Sequence, residues 1–195
     1  MNYREKIKKE IEESANIKRL LMDNTLDQIN KAVDILVRAI RKKDRIFLCG
    51  NGGSAADSQH IASELVGRLR KRELSHQAFS LATNISTLTA LSNDFGYENV
   101  FSKQLEVYAQ PKDILIAIST SGKSVNVKKA VKKAKEIGMK IIVMTGRKKT
   151  MISKLADVAI MVPSYDTPRI QEAHILIGHI FASMIEDAFH RRTKD

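Results

Sequence analysis

Two kinds of hydrophobic pattern divide the chain. Up to Lys43, apolar positions recur three or four residues apart among charged ones: Ile7, Ile11 and Ala15, then Leu26, Ile29, Val33, Leu36 and Ile40. That spacing predicts one-sided amphipathic helices. The second has Thr25 as a candidate N-cap with Gln28 three residues on. Its apolar stripe has to be covered, either by the rest of the same domain or by a neighbouring subunit. From Arg45 onward, short apolar runs alternate with longer helical stretches: RIFLCG (45–50), HQAFSL (76–81), DILIAIS (113–119), KIIVMT (140–145) and DVAIMV (157–162). Four of the five are nearly continuous in apolar residues, as in strands buried on both faces of a parallel sheet. Segments 54–70, 124–137 and 168–191 are long enough for crossover helices. The predicted fold class is α/β: a three-layer sandwich with a central parallel sheet of about five strands plus N-terminal helices. Residues 1–195 form a single domain in this reading, with 1–43 as a helical extension packing on the domain or on a neighbouring subunit.

In such a sheet, ligands bind outside the carboxyl ends of the strands, so the loops after Cys49, Ser80, Ile118, Met144 and Val162 become the candidate site. The first, Gly50-Asn51-Gly52-Gly53-Ser54, allows a tight turn and close backbone approach to a ligand, with Ser54 as a candidate cap of the next helix. It is equally readable as a plain strand-to-helix turn, and the dinucleotide-binding spacing is not met cleanly. The third, Ser119-Thr120-Ser121-Gly122-Lys123-Ser124, places four hydroxyls at the start of a helix. Unpaired N–H groups there suit a phosphate. The spacing is not that of a Walker loop. Asn93 and Asp94 could hydrogen-bond a polyol but read as readily as a turn or cap.

His60 and Glu64 are four apart on the helix after the glycine turn, so they share a face. The pair can hold a divalent ion or be an ordinary surface pair. Gln171 and His179, eight apart on the last helix, would be separated by roughly 12 Å in rise and about 80° around the axis. Both reach one small site only if Gln171 sits at a frayed start or if two subunits contribute. His174 reads as a structural histidine.

Composition narrows the function classes. The chain has 195 residues, 33 Lys+Arg against 22 Asp+Glu, and a net charge of +11, which suits an anionic small substrate. A single cysteine, Cys49, excludes an internal disulfide framework and a cysteine-rich zinc cluster. No apolar run has the length of a membrane helix and the N-terminus lacks a signal-peptide core, so a soluble cytoplasmic protein is expected. Basic clusters at 68–72, 147–149 and 190–192, and at Lys128, Lys129, Lys132 and Lys133, raise nucleic-acid binding. Aromatics are only 5% with no Trp, which leaves few stacking platforms, so no specific nucleic-acid partner is expected.

The segments GNGGSAADSQHIASELVGR, LSNDFGYENVFSKQLE, ISTSGKSVN and TPRIQEAHILIGHI together resemble the phosphoheptose (sedoheptulose 7-phosphate) isomerases of the SIS-domain superfamily. The serine-rich loop alone marks only an SIS domain; its combination with the glycine turn, HxxxE and RIQEAH(x)4H is more specific. The resemblance implies conversion of sedoheptulose 7-phosphate to D-glycero-D-manno-heptose 7-phosphate, with Glu64 as base and His179 as acid. It implies zinc held by His60, Glu64, Gln171 and His179. It implies substrate contacts from Asn51, Gly52, Gly53, Asn93, Asp94, Ser119, Thr120, Ser121, Ser124 and Gln171, and a homotetramer with sites at subunit interfaces. Asn84 and Lys123 depart from residues frequent in relatives. The competing readings are a non-catalytic SIS module of the kind that associates with a replication initiator, and an isomerase of another phosphosugar.

Overall fold

Continuous apolar runs become strands because both faces of each are covered. The computed structural model describes residues 2–67 and 76–190. Five strands, β1 (Ile46–Cys49), β2 (Ala78–Ser80), β3 (Ile114–Ser119), β4 (Lys140–Thr145) and β5 (Val158–Met161), form one sheet in the order β2-β1-β3-β4-β5. All pairings are parallel. Alternate residues supply two cores. Ile46, Leu48, Ile114, Ile116, Ile142 and Met144 face α1 (Tyr3–Arg41), α2 (Gly53–Val66) and α7 (Thr167–His190). Phe47, Cys49, Leu115, Ala117, Ile141 and Val143 face α4 (Val100–Tyr108), α5 (Val125–Ile137) and α6 (Met151–Leu155). The edge strands β2 and β5 alternate in burial, where β5 reads as continuous in sequence.

The N-terminal region is one helix of 39 residues, not two. No Gly or Pro interrupts residues 3–41, so nothing stops the first helix before the second begins. Thr25 is correspondingly inside α1 rather than at its start, and its buried hydroxyl donates to the Leu21 carbonyl at 2.8 Å. Ile29, Leu36 and Ile40 are buried against the sheet and α7, whereas Ile7, Ile11 and Leu26 are exposed.

The chain between β2 and β3 contains two helices that short polar-interrupted patterns conceal: α3 (Ile85–Phe95), then a 3-10 turn at Tyr97–Asn99, then α4. Asn84 caps α3, its side chain accepting from the Thr87 N–H at 3.0 Å. No described helix is long and apolar enough to cross a membrane.

The strand order places the topological switch point between β1 and β3. The chain leaves β1 for α2 on one face and leaves β3 for α5 on the other. The two loops therefore diverge, opening a crevice at the carboxyl edge of the sheet.

Candidate active site

The glycine turn and the hydroxyl loop flank that crevice. Gly52 (φ 55°) occupies a backbone region that favours glycine. It precedes α2 without a side-chain cap, so Ser54 does not cap; Ser54 is the second residue of the helix and is buried. Gly50 is required by close approach: a Cβ there would lie 2.5 Å from the Ser54 carbonyl oxygen.

In the hydroxyl loop, Ser119 is buried and its Oγ accepts from the Gly122 N–H at 3.2 Å while lying 3.3 Å from Ser124 Oγ. Thr120 is half-buried, its carbonyl accepting from the Gly146 N–H at 3.0 Å. Ser121 is exposed and accepts from the Lys123 N–H at 3.2 Å. Ser124 precedes α5 without a side-chain cap bond. Gly122 (φ 64°) packs where a Cβ would meet Thr150. The first N–H groups of α5 and these hydroxyls thus share one rim of the crevice, an arrangement that suits an anion. Asn93 and Asp94 are exposed on the last turn of α3, not in a loop, with the Asn93 amide donating to Asp94 Oδ1 at 3.0 Å.

Helices α2 and α7 lie side by side on the same face of the sheet and run in the same direction. A Cβ on Gly53 would collide with the Gln171 amide, and one on Gly178 would lie 2.6 Å from Ile61 Cδ1. This register brings His179 opposite His60, with Nε2···Nε2 at 3.4 Å and ring centroids 5.0 Å apart. One turn further along α2, Glu64 Oε1 lies 3.2 Å from His60 Nε2. Ligand atoms of His60, Glu64 and His179 all fall within 4.8 Å of one another, in one chain. Gln171 is neither at a frayed end nor matched to His179 at one point: it sits within α7, two turns before His179, against Gly53.

Two imidazoles and a carboxylate are borderline donors suited to zinc. Bonds of about 2.0–2.1 Å in a tetrahedron put ligand atoms about 3.3–3.4 Å apart; His60 lies 3.4 Å from His179 and 3.2 Å from Glu64, close to that edge, with the whole group inside 4.8 Å. The donor set therefore fits a metal ion.

A family model described as SIS domain matches residues 11–146. The phosphoheptose isomerase of a Nitratiruptor species is 48% identical over 185 residues, covering 95% of this chain and 99% of the relative. That of Aquifex aeolicus is 42% identical over 189 residues, covering 97% and 99%. The solved structure of phosphoheptose isomerase GmhA from Neisseria gonorrhoeae matches with TM-score 0.89 and 38% identity over 95% of this chain and 100% of that one. A phosphoheptose isomerase from Francisella tularensis matches with TM-score 0.92 and 30% identity over 96% and 100%. The chain belongs to the phosphoheptose isomerase family of SIS-domain proteins.

Several residues of this family member escape sequence reading. Asn126 on α5 and Tyr97 bond the side chain of Asn51. Arg169, nearly buried at the start of α7, lies 2.9 Å from Glu172 Oε1 and 3.3 Å from Glu10 Oε2, and donates to the Glu10 carbonyl. It ties α7 to α1 just before Gln171. Asp57, one turn before His60, has a buried Oδ2 without a partner among the described residues. Burial raises its carboxyl to about 6, with His60 acting in the opposite direction. His174 is wholly buried with neither nitrogen well hydrogen-bonded among the described residues, and burial lowers it to about 4 against a weaker opposing effect of the Thr145 backbone. That is a structural histidine. Cys49 is buried and its thiol is pushed up to about 12, so it is not a nucleophile.

Of the basic clusters, 68–72 and residues 191 and 192 lie outside the described residues, as does the His190 side chain. Lys129 pairs with Glu98, and Lys133 with Glu106 and Glu136. These two are solvated ion pairs on α5 rather than bare cations.

Proposed function

We infer that the chain is an aldose–ketose isomerase that converts sedoheptulose 7-phosphate to D-glycero-D-manno-heptose 7-phosphate. Two observations carry this reading: the convergence of Glu64 with His60 and His179 across α2 and α7, and strand-end loops that offer hydroxyls and helix N–H groups. Identities of 42–48% to curated phosphoheptose isomerases over nearly the whole chain support the substrate class.

Glu64 is the carbon base. Its carboxylate takes a C1 proton from the open-chain ketose while His179 delivers a proton to O2, giving the enediol. Glu64 then returns a proton to C2 as His179 accepts the O1 proton, so the aldose leaves with every proton accounted for. Positioned acid–base groups of this kind contribute about 10²–10⁴-fold. Ser119, Thr120, Ser121 and Ser124 hold the phosphate, with Asn51, Gly52, Gly53, Asn93, Asp94 and Gln171 along the sugar, so binding at the far end orients the reacting carbons. His60, Glu64 and His179 of one chain, with Gln171 contributed by a neighbouring subunit, would hold a zinc ion, which supplies Lewis-acid polarisation of the carbonyl when bound. A carboxylate beside a cation is a weaker base, so with zinc bound Glu64 would have to leave the ion to act as the base, unless the ion were partly structural.

The exposed half of α1 and α3, which buries no residue completely, leave apolar surface for further subunits and so support a homotetramer as the working assembly. Residues 1–195 act as a single SIS domain with 1–43 as its helical extension, and the setting is the cytoplasm. The non-catalytic protein-binding reading is disfavoured, because such a module has no need of the Glu64–His179 pair.

Glu64→Gln and His179→Gln are each expected to abolish isomerisation of sedoheptulose 7-phosphate, followed by NMR, while leaving the circular dichroism spectrum unchanged. A near-native rate in either variant would overturn the assignment. Chelator-free protein is expected to carry about one divalent ion per chain and to lose activity in EDTA. Full activity without stoichiometric metal would remove the zinc.

A further inference from the structure

The crevice between β1 and β3 is bridged by a reciprocal amide pair. Asn51 Nδ2 donates to Asn126 Oδ1, and Asn126 Nδ2 donates back to Asn51 Oδ1, both at 2.8 Å. The Val127 N–H also donates to Asn126 Oδ1 at 2.9 Å, which fixes which end of that carboxamide is oxygen. Asn51 Oδ1 takes a second bond, from the Tyr97 hydroxyl at 2.9 Å. Asn126 is 3% exposed. The two residues lie 75 apart in the chain, on the two loops that diverge at the switch point.

A carboxamide oxygen has two lone pairs and its nitrogen two hydrogens. Both lone pairs of Asn51 are occupied internally and one N–H is engaged. What remains on the Asn51 side chain is one N–H. Its neighbours Gly52 and Gly53 bring backbone N–H groups but no side chains. We propose that Asn126 and Tyr97 are positioning residues that sequester the side-chain acceptor of Asn51 in the glycine turn. The Asn51 side chain then presents a donor alone to the acceptor oxygens of a sugar phosphate, at a fixed distance from the hydroxyl loop. The same pair couples the two loops, because neither amide can turn without breaking the other's bonds.

This rests on the isomerase reading above, and the test separates the two. Asn126→Ala is expected to raise KM for sedoheptulose 7-phosphate about tenfold with a smaller effect on kcat, and Tyr97→Phe about threefold, the range for lost hydrogen bonds. The double variant Asn51→Ala/Asn126→Ala is expected to be no worse than the poorer single, since each deletion already breaks the pair. Asn126→Asp keeps the acceptor but turns a second oxygen toward Asn51 Oδ1, so it is expected to match Asn126→Ala. A merely structural role would lower the melting temperature and leave KM of the folded fraction unmoved. Unchanged KM in folded Asn126→Ala, or fully multiplicative effects in the double variant, would overturn the proposal. If the wild type does not turn over this substrate, the isomerase reading fails instead. The pair is then judged by the side-chain amide signals of Asn51 in 15N spectra. They are expected to shift and lose exchange protection in Asn126→Ala, and unchanged signals overturn the pair.

Discussion

Gly178→Ala offers a test in which two physical effects have opposite signs. In a helix interior, replacing Gly by Ala is worth about 1 kcal/mol of stabilisation. Here the new methyl would collide with Ile61 Cγ1 and lie 2.6 Å from Ile61 Cδ1, where ordinary contacts begin at 3.4 Å. Ile61 is wholly buried, 0% exposed, so it has no solvent into which to swing. Relief requires α2 and α7 to part by up to about 1 Å, and overpacking of this kind typically costs about 1–3 kcal/mol. The two effects leave a net loss of up to about 2 kcal/mol, equivalent to a melting-temperature fall of several degrees for a chain of this size. The neighbours of the strained pair are His60 and His179, whose 3.4 Å separation widens with the helices. A displacement near 1 Å at a reacting constellation can cost about 100-fold, so kcat/KM is expected to fall at least tenfold. Thermal melts and initial rates of Gly178→Ala, and of Gly178→Ala/Ile61→Ala in which the collision is absent, measure both effects. The double variant is expected to recover part of the activity. A single variant that melts higher than wild type at full activity would show that the α2–α7 contact does not set the site's geometry.

Other expectations concern charge. His174 is neutral in the folded protein down to about 4, whereas an imidazole in the unfolded chain takes its proton near pH 6.5. The unfolded state therefore binds more protons between these values, and stability falls as pH drops from about 6.5 to about 4 by about 3 kcal/mol. Denaturant melts of His174→Gln against wild type are expected to show a shallower acid loss, and parallel curves would contradict it. Lys123, Arg147, Lys148 and Lys149 are exposed on the hydroxyl loop and on the loop whose Thr150 packs against Gly122. As a cationic rim they are expected to steer a phosphate dianion. Lys148→Glu/Lys149→Glu should then lower kcat/KM at low salt, with the difference from wild type shrinking as salt rises toward a Debye length of about 8 Å. Identical salt profiles would refute the steering.

The local pattern of the chain was enough for the layers and the strand ends. Runs such as ILIAIS can be continuous in apolar residues only if both faces are buried, so a parallel sheet with covered faces was legible. The glycine turn and the hydroxyl loop were legible as loops at strand ends for the same reason. The helices α3 and α4 were not, because α3 buries no residue completely and so leaves a weak periodic signal. Nor was the unbroken α1, since polar residues between two stripes do not by themselves stop a helix.

What tertiary structure decided was every relation between distant positions. Periodicity put His60 and Glu64 on one face of a helix, but His179 lies 119 residues beyond His60, and only the register of α2 against α7 brings the three side chains together. That register depends on Gly53 and Gly178, which lack the side chains that would hold the helices apart. The pairing of Asn51 with Asn126 likewise follows from strand order, because β3 adds beside β1 on the side away from β2. A linear pattern reports which face of an element is apolar. Which elements become neighbours, and in what register, depends on packing across the whole sheet.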